Sequence, residues 1–319
     1  MSGTKLTDTV TVAARSLRHA GLDAVRELAW RTYFSVRSST DADPILSADW
    51  DLLVVLDACR ADLFSDVLSE TDRAYEGIHA GTTRTSPASS SEEWLRNVFV
   101  DADSNELADV AYVSGNPYTA RVLDADRFGT VVDVWREAWD DDLGTIPPRP
   151  ITDRAIELGR EDRFDRLVVH YMQPHFPSLA APDSEDRGVA LSQFGDESMS
   201  VWEDLRFGRV SESTVWERYR ANLEAVLEEV ECLLANVDAE SAVITADHGN
   251  AIGEYGIYGH PGGVDLPCLR EVPWCETTAT DRRTREPDAD ESAGAEEDTP
   301  VEEQRATVEE RLEQLGYRS

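Results

Sequence analysis

The segment Asp51-Leu-Leu-Val-Val-Leu-Asp57 is an apolar run of five residues between two acids. A short run of this kind indicates a strand that is buried on both faces, and residues 60–69 follow it with helical spacing. Because strands alternate with helices along the chain, we expect an α/β fold with a mostly parallel central sheet and helices on both faces. The further predicted strands are 109–113, 130–134, 165–170 and 241–246, and the further predicted helices are 91–100, 150–160 and 212–236.

Polar side chains stand at or just after the ends of the predicted strands, where parallel sheets bind ligands. An acid at a single strand end is usually a turn residue, and a lone histidine is usually structural. Here several such groups follow separate strands, and they include four of the six histidines in the chain. Mixed carboxylate and imidazole ligands suit one or two zinc or manganese ions better than calcium or magnesium. The predicted metal ligands are Asp57, Asp247, His248, His260, His175 and His170.

These residues stand in motifs that resemble those of the alkaline phosphatase superfamily. Asp57 closes its strand as the family's first metal-binding acid does, and Asp247-His248-Gly249 is similar to the family's Asp-His-Gly motif. The loop Gly253–Pro261 resembles the Gly-Glu-x-Gly…His-Pro loop, and His170–Pro177 resembles a His-x4-His-x-Pro segment. The resemblance spans roughly residues 50–275, in the family's order of motifs. It is strongest to sulfatases and to the lipoteichoic acid synthase and phosphoethanolamine transferase branch.

The resemblance implies a metal-dependent hydrolase or transferase of phosphate or sulfate esters that forms a covalent intermediate on a serine or threonine. Sulfatases carry Cys-x-Pro-x-Arg, or the same motif with serine first, and this chain does not. Ala58 also stands where sulfatases tend to have a second acid. Both departures favour phosphate over sulfate chemistry.

The family's nucleophile lies at a helix start, which corresponds here to the serine-rich stretch from Thr85 to Trp94. Aligning Glu93-Trp94 with the Glu-Phe pair of the lipoteichoic acid synthase branch puts Ser89 in the place of its nucleophilic threonine, so Ser89 is the predicted nucleophile. The sulfatase pattern would favour Thr85 instead, and Ser91 is a third candidate. Serines before two glutamates and an apolar run are also typical of helix capping, and a serine that caps a helix can also be the nucleophile.

Three further polar residues are candidates for substrate binding. Arg60 and Arg84 are placed to clamp the oxygens of an ester through their planar guanidinium groups, although most arginines form ordinary ion pairs. Asn116 follows a predicted strand and is either a substrate ligand or a turn residue. The expected substrate is a small-molecule, glycan or lipid-precursor ester, by analogy with the family alone.

Two other functions are compatible with the same motifs. A catalytically silent metal- or ligand-binding protein would keep the metal residues without a working nucleophile. An isomerase of the phosphoglycerate mutase kind would need a fuller set of metal-binding acids than the motifs identify. Turnover of an ester separates the enzymes from the binding protein.

The chain is strongly acidic, with 64 acidic against 30 basic residues and a formal net charge of -34. A field of this sign repels nucleic acid and anionic membranes, so neither is an expected partner. Acidic residues occur in every periodic segment, and Lys5 is the only lysine. This distribution is typical of folded proteins from extreme halophiles.

The composition divides the chain into four predicted parts. Residues 1–45 have apolar positions near helical spacing, and residues 46–275 form the catalytic domain. Residues 276–303 are acidic and poor in apolar side chains, which is typical of a disordered linker, and residues 304–319 form a C-terminal helix.

The sequence predicts a cytoplasmic protein without a membrane span. It has no basic region followed by a long apolar run, as a signal peptide would, and no run near the about 18 apolar residues that cross a bilayer. The four cysteines do not form a Cys-x-x-Cys pair, so we expect reduced thiols.

The acidic composition predicts a dependence of folding on salt. In molar salt the screening length falls to about 3 Å, which suppresses repulsion between the acidic side chains. We expect the near-UV circular dichroism to be lost when salt is dialysed away and to return when potassium chloride is restored. An unchanged spectrum and melting temperature in low salt would contradict a halophilic adaptation.

Overall fold

A computed structural model of the chain describes residues 22–37, 42–70, 73–161, 163–180, 200–287 and 301–315, without the side chains of 22–24, 37 and 301–305. The strands in these residues are β1 Leu52–Leu56, β2 Thr82–Thr85, β3 Val110–Ser114, β4 Thr130–Asp133, β5 Arg166–Tyr171, β6 Ala239–Ala246, β7 Ala251–Ile252, β8 Tyr258–Gly259 and β9 Glu271–Ala279. The α-helices are α1 Leu22–Arg37, α2 Ala61–Glu70, α3 Ser91–Leu95, α4 Ser104–Leu107, α5 Tyr118–Val122, α6 Trp135–Ala138, α7 Pro148–Gly159, α8 Val201–Arg206, α9 Glu212–Leu234, α10 Pro267–Arg270 and α11 Val301–Gln314. A π-helical segment, Arg96–Val100, continues α3, and short 3-10 turns cover Ala125–Arg127 and Glu254–Gly256.

The centre of the molecule is a seven-stranded sheet in the order β2-β9-β6-β1-β5-β3-β4. The five strands from β6 to β4 in this order run parallel, and β9 is antiparallel to both of its neighbours. The prediction of a mostly parallel central sheet is therefore confirmed. β1 is buried along its whole length between β6 and β5, as its uninterrupted apolar sequence requires.

Helices cover both faces of this sheet. Neighbouring residues of a strand point to opposite faces, and the last two residues of β5 illustrate this alternation. Tyr171 meets Thr152 of α7 through their hydroxyl groups at 2.8 Å. His170 faces the other side, where its ring centroid lies 5.8 Å from that of Trp94 in α3. The long helix α9 packs with α7, and none of the helices in the described ranges is long and apolar enough to span a lipid bilayer.

The sequence pattern does not predict β2 and β9. β2 is the polar segment Thr-Thr-Arg-Thr at the edge of the sheet, where one side of the strand faces solvent and an apolar run is not required. β9 is buried from Val272 to Cys275, but the polar residues Glu276, Thr277 and Thr278 follow before the buried Ala279. It continues to Ala279, four residues into the segment expected to be a linker, and α11 begins at Val301 rather than at residue 304. The division into four parts stays a prediction, and residues 1–21 of the predicted N-terminal helical segment lie outside the described residues.

The residues after β9 are held by ion pairs with α7 and α9. Asp281 accepts hydrogen bonds from two nitrogens of Arg160, each at 3.0 Å, in a bidentate pair. Arg285 contacts Asp153 of α7 and Glu229 of α9, both at 2.7 Å. These contacts fix residues 281–285 against the helices on one face of the sheet.

The Asp281–Arg160 pair gives a pH-dependent contribution to stability. The hydrogen bond from Arg160 lowers the pKa of Asp281 below its ordinary value, so the pair contributes fully above the unfolded pKa of about 4 and is lost as the pH falls below it. We expect Asp281→Asn to lower the free energy of unfolding at pH 7 and the difference from the native chain to shrink below pH 4. Denaturant titration at several pH values measures this, with Asp142→Asn, an exposed position, as the control. A difference that stays constant with pH would rule out the pair as its source.

Candidate metal centre and active site

The predicted metal ligands meet at the carboxyl ends of the central strands. The register places Ala246 of β6 and Tyr171 of β5 on either side of Leu56, the last residue of β1. The residues that follow β1 and β6, Asp57 and Asp247, therefore emerge side by side. The order of the strands thus brings together residues that are 190 positions apart in the sequence.

Asp57, Asp247 and His248 form a buried group that is suited to a metal ion. Each offers one ligand atom, and the three atoms lie within 4.8 Å of one another. His248 Nε2 is 3.3 Å from Asp247 Oδ2 and 3.9 Å from Asp57 Oδ1. His170 adjoins them, with Nε2 3.6 Å from Asp57 Oδ2 and 3.9 Å from Asp247 Oδ2. All four side chains are fully buried.

Several atoms of this group have no protein partner. Within the described residues, Asp57 Oδ1, Asp247 Oδ2 and His170 Nε2 are buried and make no hydrogen bond. A buried polar atom without a partner is costly, and a cation among these atoms would satisfy all three. Two carboxylates and an imidazole are also a ligand set that zinc and manganese accept. The residues present therefore fit a divalent metal ion.

The charges of the two carboxylates are coupled. Burial and the negative charge of Asp57 raise the pKa of Asp247. Burial alone would raise the pKa of Asp57 as well, but the adjacent imidazoles of His170, His175 and His248 hold it below its ordinary value. The protein alone therefore supports one ionised carboxylate more readily than two, and a bound cation would stabilise both.

The histidine rings are oriented by backbone carbonyls. His248 Nδ1 lies 2.8 Å from Gly249 O, so it donates its proton there and leaves the Nε2 lone pair directed at the two aspartates. His175 Nδ1 is bound in the same way to Phe176 O. His175 Nε2 then faces His260 Nε2 at 3.0 Å, and burial lowers the pKa of both rings. Two neutral imidazoles beside the aspartates make a second candidate position for a cation or for a substrate oxygen.

Ser91 is the serine of the predicted nucleophile region that adjoins this group. It is the first residue of α3 and is fully buried. Its Oγ lies 3.1 Å from Asp57 Oδ2 and 3.2 Å from His248 Nε2. A hydroxyl at these distances from two metal-ligand side chains is placed to share their cation.

The other two nucleophile candidates make different contacts. Ser89 Oγ donates to Pro261 O at 2.8 Å and accepts from Val264 N at 3.1 Å, so it joins the serine-rich stretch to the loop that carries His260. Glu93 adds to this connection by accepting from the backbone N–H of Ser89. Thr85 ends the edge strand β2, where its backbone pairs with Asp43.

The three predicted substrate-binding residues are engaged within the protein. Arg60 binds Asp62 through two nitrogens and Glu254 at 2.6 Å, and so ties the loop after β1 to the loop before His260. Arg84 stacks on Trp274 with its guanidinium 3.7 Å from the ring centre, at the edge of the sheet. Asn116 donates to Asp57 Oδ2 at 2.6 Å, so it lies in the site as a support for the carboxylate.

Asn222 is a site residue that sequence reasoning missed. It is fully buried in α9 and donates to three backbone carbonyls of the segment from Pro174 to Pro177, which contains His175. Its Oδ1 accepts from Leu179 N at 2.9 Å. The sequence feature that could have identified it is an amide side chain on the otherwise apolar buried face of a helix, between Tyr219 and Val226. The contacts assign Asn222 the role of holding the loop of His175 in place.

Removing this support is expected to weaken both stability and the site. Asn222→Ala leaves buried carbonyls without a donor, so we expect a loss of about 1–3 kcal/mol of unfolding free energy and weaker zinc binding. Denaturant titration and zinc titration measure the two effects. Asn105→Ala, at an exposed position of α4, is the matched control and should change neither. Native stability and zinc affinity in the Asn222 variant would contradict the assigned role.

No protein-family model and no curated protein matches the chain. Solved structures similar to it include the integral membrane protein lipooligosaccharide phosphoethanolamine transferase A from Neisseria meningitidis, with 14% identity, a TM-score of 0.49 and coverage of 74% of this chain and 49% of that one. The C-terminal periplasmic domain of EptC from Escherichia coli, in complex with zinc, has 12% identity, a TM-score of 0.45 and coverage of 76% of each chain. A 2-O GAG sulfatase has 11% identity, a TM-score of 0.44 and coverage of 71% and 63%.

This chain therefore spans about half the length of the Neisseria protein. At these identities and TM-scores the similarity does not transfer an activity. The support for the predicted fold comes from the chain itself. Its sheet is mostly parallel, and the motif residues lie together at the carboxyl ends of the central strands. The mostly parallel sheet and the cluster of Asp57, Asp247 and His248 are features that the resemblance to the alkaline phosphatase superfamily predicted.

Proposed function

We propose that the chain is a metal-dependent hydrolase or transferase of phosphate or sulfate esters, with Ser91 as its nucleophile. The observation that carries this proposal is the position of the Ser91 hydroxyl, within 3.2 Å of both Asp57 and His248. A serine activated by an adjacent charged group is the usual requirement for covalent catalysis at an ester. Ser91 takes precedence over Ser89 and Thr85 because their contacts lie with the His260 loop and the edge strand.

The metal would be held by Asp57, Asp247 and His248, with His170 as the nearest further ligand. Zinc or manganese suits this set of ligands, and EptC, which has a similar fold, was solved as a zinc complex. A bound divalent cation would lower the pKa of the Ser91 hydroxyl and offset the negative charge of the ester. Asn116 keeps the Asp57 carboxylate in its orientation through the hydrogen bond at 2.6 Å.

The reaction proceeds in two displacements. The Ser91 hydroxyl passes its proton to Asp57 Oδ2, to which it donates a hydrogen bond at 3.1 Å, while its oxygen forms a bond to phosphorus or sulfur and the bond from that atom to the leaving alcohol oxygen breaks. The leaving oxygen takes a proton from water, and the adjacent imidazoles of His175 and His260 offer ring nitrogens that can hydrogen bond to it. Water or an acceptor alcohol then displaces Ser91 in the second step, which distinguishes hydrolysis from transfer.

Phosphate esters are the favoured substrates within this proposal. The chain has no sulfatase signature, and no cysteine stands in the serine-rich stretch. The phosphoethanolamine transferase and the GAG sulfatase point to lipid-borne and glycan esters as the two classes to test first. The cytoplasmic location stays a prediction, since the EptC domain is periplasmic.

Metal analysis and ester turnover test the proposal together. Protein purified in molar salt should contain stoichiometric zinc or manganese and should hydrolyse aryl phosphate, phosphodiester or sulfate esters. We expect Ser91→Ala to lower kcat by about 10³-fold or more while the metal content is retained. Ser89→Ala is the matched control, two residues away, and should lower kcat much less.

The other possible outcomes would each contradict a different element of the proposal. Loss of turnover in the Ser89 variant with a functional Ser91 variant would overturn the choice of nucleophile. Bound metal without turnover of any ester would favour the catalytically silent binding protein. Absence of metal under all conditions would overturn the metal centre itself.

A further inference from the structure

His170 differs from His248 and His175 in the group that its Nδ1 faces. Nδ1 of His248 and Nδ1 of His175 each lie against a backbone carbonyl, which can only accept a hydrogen bond. Each of these two rings, when neutral, therefore carries its proton on Nδ1 and a lone pair on Nε2. His170 Nδ1 instead lies 2.9 Å from the hydroxyl of Tyr112, which can donate or accept. The partner of Nδ1 therefore leaves the ring proton of His170 free to sit on either nitrogen.

The central sheet itself brings Tyr112 to His170. In the pairing of β3 with β5, Ser114 is the partner of His170, and Tyr112 lies two residues earlier in β3. Residues that are paired across strands, and residues two apart in one strand, point to the same face of a sheet. Tyr112 and His170 therefore share a face, and two strands of the sheet make their contact without the help of a loop.

Aromatic rings surround this contact and keep it dry. The side chains of Tyr112 and His170 are both fully buried. The ring centroid of Tyr112 lies 5.5 Å from that of Phe99 and 6.1 Å from that of Phe128, and the ring of His170 lies 5.8 Å from Trp94. A hydroxyl or a ring nitrogen without a partner is costly in such surroundings, so the two groups stay hydrogen bonded to each other.

The other nitrogen of His170, Nε2, faces the two aspartates of the candidate metal centre. It lies 3.6 Å from Asp57 Oδ2 and 3.9 Å from Asp247 Oδ2, and it makes no hydrogen bond within the described residues. Without a cation, an N–H group at this position points at carboxylate oxygens and offsets their negative charge. With a cation, the same position needs a lone pair, because a metal binds the unprotonated nitrogen of an imidazole. The two states therefore require the ring proton on opposite nitrogens.

We propose that Tyr112 is a positioning residue whose hydroxyl lets His170 exchange between these two states. In the metal-free chain Tyr112 donates to Nδ1, and the Nε2–H group points at Asp57 and Asp247. When a cation binds, the ring proton is on Nδ1, the Tyr112 oxygen accepts it, and the Nε2 lone pair is available as a further ligand. The ring carries one proton in both states, and the hydroxyl hydrogen turns away from Nδ1 in the second. This inference rests on the metal centre of the proposed function.

Nitrogen-15 NMR of the full-length protein, labelled at its six histidines, identifies the nitrogen that carries each ring proton. The signals of His170 are assigned by their absence in His170→Gln or by their change in Tyr112→Phe. We expect the proton of His170 on Nε2 in the metal-free chain and on Nδ1 after zinc is added. His248 is the internal control, with its proton on Nδ1 in both samples. A metal-free His170 with its proton on Nδ1 would overturn the inference whether or not zinc binds.

Zinc affinity measures what the Tyr112 hydroxyl contributes to the bound state. In Tyr112→Phe the Nδ1–H group has no acceptor when a cation is bound, so we expect zinc affinity to fall about tenfold or more. Competition with a chromophoric chelator in molar potassium chloride measures this loss. Tyr171→Phe is the matched control, because Tyr171 is equally buried and its hydroxyl bonds to Thr152 at 2.8 Å on the opposite face of the sheet. That variant should bind zinc like the native chain.

Two results of the zinc titration would overturn the role of Tyr112 alone. They are a native zinc affinity in Tyr112→Phe, and equal losses in Tyr112→Phe and Tyr171→Phe, which a purely structural role of the two hydroxyls predicts. A native chain that binds no zinc would instead overturn the metal centre, and the exchange with it. Neither measurement reads ester turnover, so a failure of this inference is distinguishable from a failure of the proposed enzyme activity.

Discussion

Two buried carboxylates, Asp57 and Asp247, impose the constraint on which the site depends. They follow adjacent parallel strands, and the ligand atoms of this group lie within 4.8 Å of one another. At an effective dielectric constant of about 20, two unit charges at that spacing repel by roughly 3 kcal/mol. That repulsion is a large part of the stability of a typical domain, so a proton or a cation must offset it. Asp247 Oδ1 accepts backbone hydrogen bonds from Ala58 and His248, but Oδ2 faces the shared space without a protein partner among the described residues.

The loops around this pair are held by specific hydrogen bonds as well as by apolar packing. Ser86 donates to Asp247 O and so fastens the serine-rich stretch to the strand end that supplies the candidate metal ligands Asp247 and His248. Glu93 accepts from the backbone of Ser89 and Gly263 and links the same stretch to the loop of His260. Asn222 holds the loop of His175 from the side of α9. Each of these contacts fixes a group close to the candidate cation position, which is the kind of preorganisation that an ester-cleaving site needs.

The distribution of charge complements this arrangement. Most of the surface is acidic and would repel an anionic ester, so attraction must come from the site itself or from a basic region near it. Arg60 does not serve this purpose, because it binds Asp62 and Glu254 and stabilises the loops instead. A divalent cation between Asp57, Asp247 and His248 would supply the local positive charge. Residues 1–37, with six basic and three acidic side chains, are the other region of opposite sign, and within them Trp30 and Phe34 of α1 pack beside the His260 loop.

The sequence by itself determined the five parallel strands of the sheet and predicted the candidate metal ligands at their ends. Apolar runs such as residues 52–56 are local signals of buried strands. The residues that follow parallel strands lie together at the carboxyl ends of the sheet, so Asp57, Asp247 and His248 could be predicted as neighbours without coordinates. The tertiary structure decided which serine faces the site. Ser89 and Ser91 are two positions apart, and the direction of each hydroxyl depends on contacts with Pro261, Val264 and Asp57, which come from distant parts of the chain. Only the folded chain brings those partners together, and for the same reason the roles of Arg60 and Asn222 could not be read from the order of the residues.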